Sequence, residues 1–165
     1  MIEVIRVATT DQIEKTAQLA AEIWKEHYTE IIGGNQVDYM IDRFQSCEAI
    51  TAQIDAGELV YFLLCLDRRP EGYFALQIRP NEVFLSKLYV RSSVRRKGLA
   101  RKAIAFIKSV AADNCLKKIS LTVNKNNSLA IESYKRMGFI NEGATVADIG
   151  EGYVMDDYIL ALRMS

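Results

Sequence analysis

Two periods of apolar residues organise this chain. Ile13, Ala17, Ala20, Trp24 and Tyr28 recur at spacings of three and four, which marks one buried stripe on a helix, and Thr9-Thr10-Asp11-Gln12 in front of them offers an N-cap and a capping box. Gly33-Gly34-Asn35 should break that helix. Two further helical stretches follow, from about Gln36 to Phe44 and from about Glu48 to Ala56, the second ending where Gly57 can adopt a left-handed cap. Ahead of all three, residues 2 to 8 read as a short strand.

The middle of the chain changes to strand character. Leu59-Val60-Tyr61-Phe62-Leu63-Leu64-Cys65-Leu66 is an unbroken apolar run of strand length, as expected for a strand covered on both faces. Asp67 to Gly72 reads as a turn into Tyr73 to Ile78, and Pro80-Asn81 as a turn into Val83 to Val90, which together predict a three-strand meander with both prolines at turns. From Gly98 the helical period returns: Ala100, Ala103, Ile104, Ile107, Val110 and Ala111 form one face, with Arg101, Lys102 and Lys108 on the other. Ile119 to Val123 alternates as a strand. A strand, a long helix and a strand in direct succession predict a right-handed crossover between neighbouring parallel strands. A last helix, from about Asn127 to Met137, stops at Gly138, and two strands, Phe139 to about Val146 and Tyr153 to Met164, complete a mixed α/β sheet with helices on both faces.

Composition narrows the functional classes. The 165 residues are half hydrophobic and carry no repeat or flexible linker, so one domain over 1–165 is the economical expectation. Lysine plus arginine equals aspartate plus glutamate at 21 each, so neither nucleic acid nor an anionic membrane is an expected partner, and any basic site must be local. Cys47, Cys65 and Cys115 contain no C-x-x-C pair and read as reduced, buried small hydrophobes, and no metal site is expected. With no leader-like start and no run of apolar residues long enough to span a bilayer, the expected location is the cytoplasm.

The strongest local signal is Val90-Arg91-Ser92-Ser93-Val94-Arg95-Arg96-Lys97-Gly98-Leu99-Ala100, between a strand and the long helix. Backbone N–H groups at a helix start lack internal partners and carry the positive end of the dipole, so an anion is stabilised there. Gly98 permits close approach, Ala100 keeps the first turn small, and Arg95, Arg96 and Lys97 add charge, an arrangement that fits a diphosphate. Neither the Walker pattern nor G-x-G-x-x-G occurs, which demotes nucleoside triphosphates and NAD.

Arg95 to Ala100, after a strand ending Leu88-Tyr89-Val90, resembles the acetyl-CoA loop Q/R-x-x-G-x-G/A of the GNAT superfamily of N-acetyltransferases. Asn127-Ser128-Leu129-Ala130-Ile131-Glu132-Ser133-Tyr134-Lys135-Arg136-Met137-Gly138-Phe139 resembles that family's N-x-x-A-x-x-x-Y-x-x-x-G-F. The close match spans roughly residues 83 to 140, and the final segment around Asp157 is most similar to the PaiA-like, polyamine-acetylating branch. The resemblance implies a mostly antiparallel, seven-stranded sheet with a parallel central pair, and acetyl-CoA or coenzyme A as cofactor. It assigns Leu88, Tyr89 and Val90 to the pantetheine arm, and Arg95, Arg96, Lys97, Gly98, Leu99, Ala100 and Arg101 to the pyrophosphate. Asn127 and Ala130 fall beside the cofactor, and Tyr134 beside its sulfur.

Acetyl transfer needs a neutral amine, a polarised thioester carbonyl and a proton for the departing thiolate. A bulge near Tyr89 would free a backbone group for the carbonyl oxygen, and Tyr134, a phenol ordinarily protonated at neutral pH, is the catalytic candidate as proton donor. The base is unassigned: Phe84 stands where many relatives carry a strand glutamate, so a water relay is expected. His27, the single histidine, together with Trp24, Tyr28 and Tyr39, are acceptor-site candidates beside a packing role. Asp156 and Asp157 interrupt an apolar strand with one carboxylate on each face; the inward one needs a partner, either a cationic acceptor amine or a structural arginine. The expected reaction is direct transfer from acetyl-CoA to a primary amine of a small molecule such as a polyamine. A non-catalytic acyl-CoA sensor, a protein or peptide amine acetyltransferase, and a nucleotide-binding regulator are the alternatives, and a homodimer stays open.

Overall fold

The computed structural model describes all residues, Met1–Ser165. Seven strands and five helices follow in the order β1 (Ile2–Arg6), α1 (Thr10–Ile32), α2 (Gly34–Phe44), α3 (Cys47–Asp55), β2 (Val60–Leu66), β3 (Arg69–Ile78), β4 (Val83–Val90), α4 (Leu99–Asp113), β5 (Lys118–Asn124), α5 (Ser128–Arg136), β6 (Ile140–Gly150) and β7 (Tyr153–Arg163). The sheet order is β1-β2-β3-β4-β5-β7-β6, with β4 and β5 parallel, as the strand-helix-strand succession predicts. By internal contacts the chain forms two compact units, Met1–Gln77 with Ser86–Phe106, and Ile78–Leu85 with Ile107–Ser165.

In the first unit, α1 starts with the expected capping box: the Thr9 hydroxyl accepts from the Gln12 N–H at 3.2 Å, and the Gln12 side chain accepts from the Thr9 N–H at 2.9 Å. Leu19, Ala20 and Ile23 of α1 and Ile50 of α3 pack with Tyr61, Leu63 and Cys65 of β2 and Tyr73 and Ala75 of β3 into one core cluster. Phe62, Phe74 and Phe106 form a second aromatic group, with centroids 4.9 to 5.9 Å apart. β2 is thus covered on both faces, as its unbroken apolar run requires.

Three local expectations are corrected. The turn after β2 is only Asp67-Arg68, both at positive φ (50° and 71°), so β3 begins at Arg69 and Pro70 lies inside the strand, next to the register shift at Leu64/Cys65. α2 begins already at Gly34, because Gly33 alone, at φ 89°, ends α1. Of the cysteines only Cys65 is buried; Cys47 and Cys115 are exposed, at the start of α3 and just after α4.

In the second unit, β5 pairs in parallel with β4 over Val83–Leu85 and antiparallel with β7 along its whole length, and β6 pairs with β7 through the Glu151-Gly152 turn. Ile119, Leu121, Leu160 and Ala161 are buried. No helix is long and apolar enough to cross a membrane.

Candidate active site

After β4 the chain makes a single 3-10 turn, Ser92–Val94, and then passes through Arg96 and Gly98 at φ 64° and 88°. A Cβ at Gly98 would meet nothing nearer than Ile2 Cδ1 at 3.9 Å, so the backbone there is both left-handed and open beside it. The first backbone bond of α4 runs from the Lys102 N–H to the Gly98 carbonyl at 2.9 Å, and the N–H groups from Arg96 through Arg101 have no backbone acceptor. Consecutive donors at the positive end of a helix dipole are left for an anion, and the exposed side chains of Arg95, Arg96, Lys97 and Arg101 surround them.

Side chains of α1 brace this loop. Arg91 bonds Glu22 and, at 3.2 Å, Glu71 of β3; the Ser92 hydroxyl donates to Glu26; and Arg95 Nη2 lies 3.5 Å from His27 Nδ1. The structure therefore puts His27 against an arginine of the loop. Trp24 and Tyr28, both buried, stack at 4.4 Å; Tyr89 of β4 meets them edge-on at 5.2 and 5.9 Å and lies tilted against Tyr73 at 5.6 Å. Tyr39 lies on α2 beside the Arg43 guanidinium, 6.0 Å from its ring centre. Leu88 and Val90 are half-buried on β4.

One charged residue of this unit escapes the sequence reading. Lys87 of β4 is buried, and its ammonium reaches the Phe44 carbonyl at 3.0 Å, Gln53 Oε1 at 3.4 Å and the Tyr61 hydroxyl, while the Tyr61 hydroxyl donates to Gln53 Oε1 at 2.6 Å. Burial pushes the Lys87 ammonium down to about 7 and the Tyr61 phenol well above its ordinary value. The signal was present: Lys87 shares a face of β4 with Val83, Leu85 and Tyr89, where a polar residue breaks an apolar alternation.

The second unit holds the remaining candidates. Asn127 is buried and caps α5, its Oδ1 accepting from the Ala130 N–H at 3.4 Å. Tyr134 is half-buried with its ring 5.4 Å from Phe139. Asp156 is exposed and bonds Lys125 at 2.9 Å, whereas Asp157 is buried and its Oδ1 has no hydrogen-bond partner. No arginine forms a salt bridge with the inward carboxylate.

A model of the acetyltransferase (GNAT) family matches residues 17–139. The chain belongs to the GNAT family. Solved structures agree at the level of fold. The PaiA N-acetyltransferase from Thermoplasma acidophilum, in complex with coenzyme A, superposes with a TM-score of 0.80 at 19% identity over 99% of each chain. A GNAT protein from Rhodopseudomonas palustris gives 0.81 at 12% identity over 98% of this chain and 95% of that one. The ribosomal-protein-S18-alanine N-acetyltransferase from Escherichia coli gives 0.69 at 19% identity over 100% and 95%.

As a GNAT member the chain is an acetyl-CoA-dependent acetyltransferase. Its residues fit that donor: the unbonded N–H groups from Arg96 to Arg101 and the open space at Gly98 suit a diphosphate, and the braced Arg95 adds charge at the same loop.

Proposed function

We propose that this enzyme moves an acetyl group from acetyl-CoA to a primary amine of a small molecule, a polyamine or another small amine, by direct transfer with both substrates bound. The observation that carries the reading is the run of unbonded amides opening α4 beside Gly98. These amides and the side chains of Arg95, Arg96 and Lys97 hold the diphosphate. Leu88, Tyr89 and Val90 of β4 offer backbone groups to the pantetheine arm, and Asn127 and Ala130 at the start of α5 give it further contact. Bound acetyl-CoA supplies the acetyl group as an activated thioester.

Tyr134 donates its phenolic proton to the departing sulfur. Trp24, Tyr28 and Tyr89 wall the acceptor side of the first unit, and the bond to Arg95 gives His27 the role of holding the loop rather than accepting a proton. The resemblance of the final segment around Asp157 to the PaiA-like branch supports a small-amine acceptor, and the whole chain is read as one catalytic domain acting in the cytoplasm.

The test is steady-state thiol release from acetyl-CoA with a panel of diamines, polyamines, amino acids and N-terminal peptides. Release with aliphatic amines above the amine-free rate is expected. Coenzyme A binding without release on any amine, or release confined to peptides, would contradict the proposal.

A further inference from the structure

Asp157 is 6% exposed, and its carboxyl is held on one side only. The Thr122 hydroxyl bonds one oxygen, and Oδ1 has no partner. A carboxylate removed from water without a counter-charge costs free energy, so such a group is normally paired. The chain offers no pairing cation here. The neighbouring charges are Asp156 and Lys125, which bond each other at 2.9 Å, and the Lys125 ammonium also lies over the Tyr158 ring at 5.5 Å.

Strand register defines what else faces this carboxyl. Asp157 stands opposite Asn124 of β5 and Thr145 of β6, and Thr122 shares the Asn124 face of β5 by the two-residue period. The groups converging on Asp157 are thus two hydroxyls and an amide whose Oδ1 already accepts from the Asn126 N–H. Thr122 is exposed, so this polar patch opens to solvent at its Thr122 end. A ligand that completed it would bring positive charge and N–H donors.

We propose that Asp157 binds the ammonium group of the acceptor amine and takes its proton. This rests on the amine-acetylating reading above and fills the place left open by Phe84. In the step, one N–H bond of the ammonium breaks and an O–H bond forms at Oδ1; the nitrogen keeps the electron pair and becomes nucleophilic, and Asp157 later returns the proton to solvent. Thr122 holds the other oxygen and fixes the direction of Oδ1. Burial, opposed by the Thr122 bond and aided by the Asp156 charge, raises this carboxyl to about 6, which makes it a stronger proton acceptor than an ordinary aspartate.

The experiment compares wild type, Asp157→Asn and Thr122→Val. Each protein, saturated with coenzyme A, is titrated calorimetrically with 1,5-diaminopentane, and kcat/KM is measured against pH. Asp157→Asn should bind coenzyme A as wild type does, bind the diamine at least about 10-fold more weakly, and lose about 100-fold in kcat/KM, in the range of one proton-transfer group. The acidic limb near pH 6 should vanish in Asp157→Asn and move to higher pH in Thr122→Val, because the hydroxyl holds the carboxyl down. Unchanged diamine affinity with the acidic limb intact would overturn the role of Asp157 while leaving the acetyltransferase reading standing. A wild type that releases no thiol with any amine overturns that reading instead, and the diamine titration then still decides whether Asp157 is an ammonium site.

Discussion

Lys87 and Asp157 are both more than nine-tenths buried, and the protein treats them in opposite ways. Around Lys87 the first unit supplies three oxygens, from Phe44, Gln53 and Tyr61, so the ammonium is fully bonded inside the protein and ties β4 to the C-terminus of α2. Around Asp157 the second unit supplies one hydroxyl and leaves an oxygen without a partner. Burial penalises both charges, yet only one is compensated by the chain itself. A buried charge with every bond made belongs to the scaffold, whereas one left short marks a place for something the chain does not contain. The amides from Arg96 to Arg101 fall on the same side of this division as Asp157, being strong donors that the fold positions and does not use.

The largest effect is expected where the incomplete set of donors is filled by force. Gly98→Glu places bulk at a positive φ and a negative charge against the diphosphate position, and coenzyme A affinity by calorimetry should fall at least about 1,000-fold, the equivalent of several kcal/mol of like-charge contact. An affinity within a few fold of wild type would remove the loop from the site. Next, Tyr134→Phe should lower kcat by about 100-fold with coenzyme A affinity unchanged, as for loss of one proton donor, and equal turnover would take Tyr134 out of the reaction.

The completed network should respond in stability rather than in binding. Tyr61→Phe removes the hydroxyl between Lys87 and Gln53 and should cost about 1–3 kcal/mol in denaturant unfolding, while leaving coenzyme A affinity alone. The smallest effect is a pH-dependent gain. The Asp157 carboxyl is raised from 3.8 to about 6, so the folded chain holds more protons than the unfolded one in that window and loses stability as pH rises through it. Asp157→Asn escapes that loss, and its stability advantage over wild type should grow from pH 4 to pH 6. For Lys87, lowered from 10.5 to about 7, the folded chain holds fewer protons than the unfolded one between those values, so wild type should gain stability relative to Lys87→Met as pH rises from 7 to 10. Melting temperatures for each pair across pH would show flat differences if the two charges were not buried as described.

Much of the architecture was legible in the sequence because each element carried its own local signature. The Thr9–Gln12 capping box, the unbroken apolar β2 and the helical stripe of α4 fixed type and place with little tertiary help. The turn at Asp67-Arg68 was not legible, since two non-glycine residues occupy the left-handed region there and Pro70 looks like turn chemistry until the register shift beside it is seen. In the site, the loop was readable because a geometry that suits an anion lies in backbone position and glycine. The role of His27 was not, because the histidine meets Arg95 across 68 positions of sequence. Lys87 was missed for the same reason: its partners come from α2, α3 and β2, so a lysine in an apolar strand looks like an exception until the fold collects three acceptors around it. The unequal fates of Asp156 and Asp157 were foreseen as a difference of face, but which carboxylate lacks a counter-charge became visible only when Lys125 was seen to pair with Asp156.

The most direct measurement is a calorimetric titration of the wild-type protein with coenzyme A and, separately, with pantetheine, which shares the thiol arm and lacks the diphosphate. If the unbonded amides at the start of α4 grip the diphosphate, coenzyme A should bind at least about 100-fold more tightly, the weight of two charge-assisted hydrogen bonds. Equal affinity for the two compounds would mean that the amides beside Gly98 hold nothing, and would contradict the account.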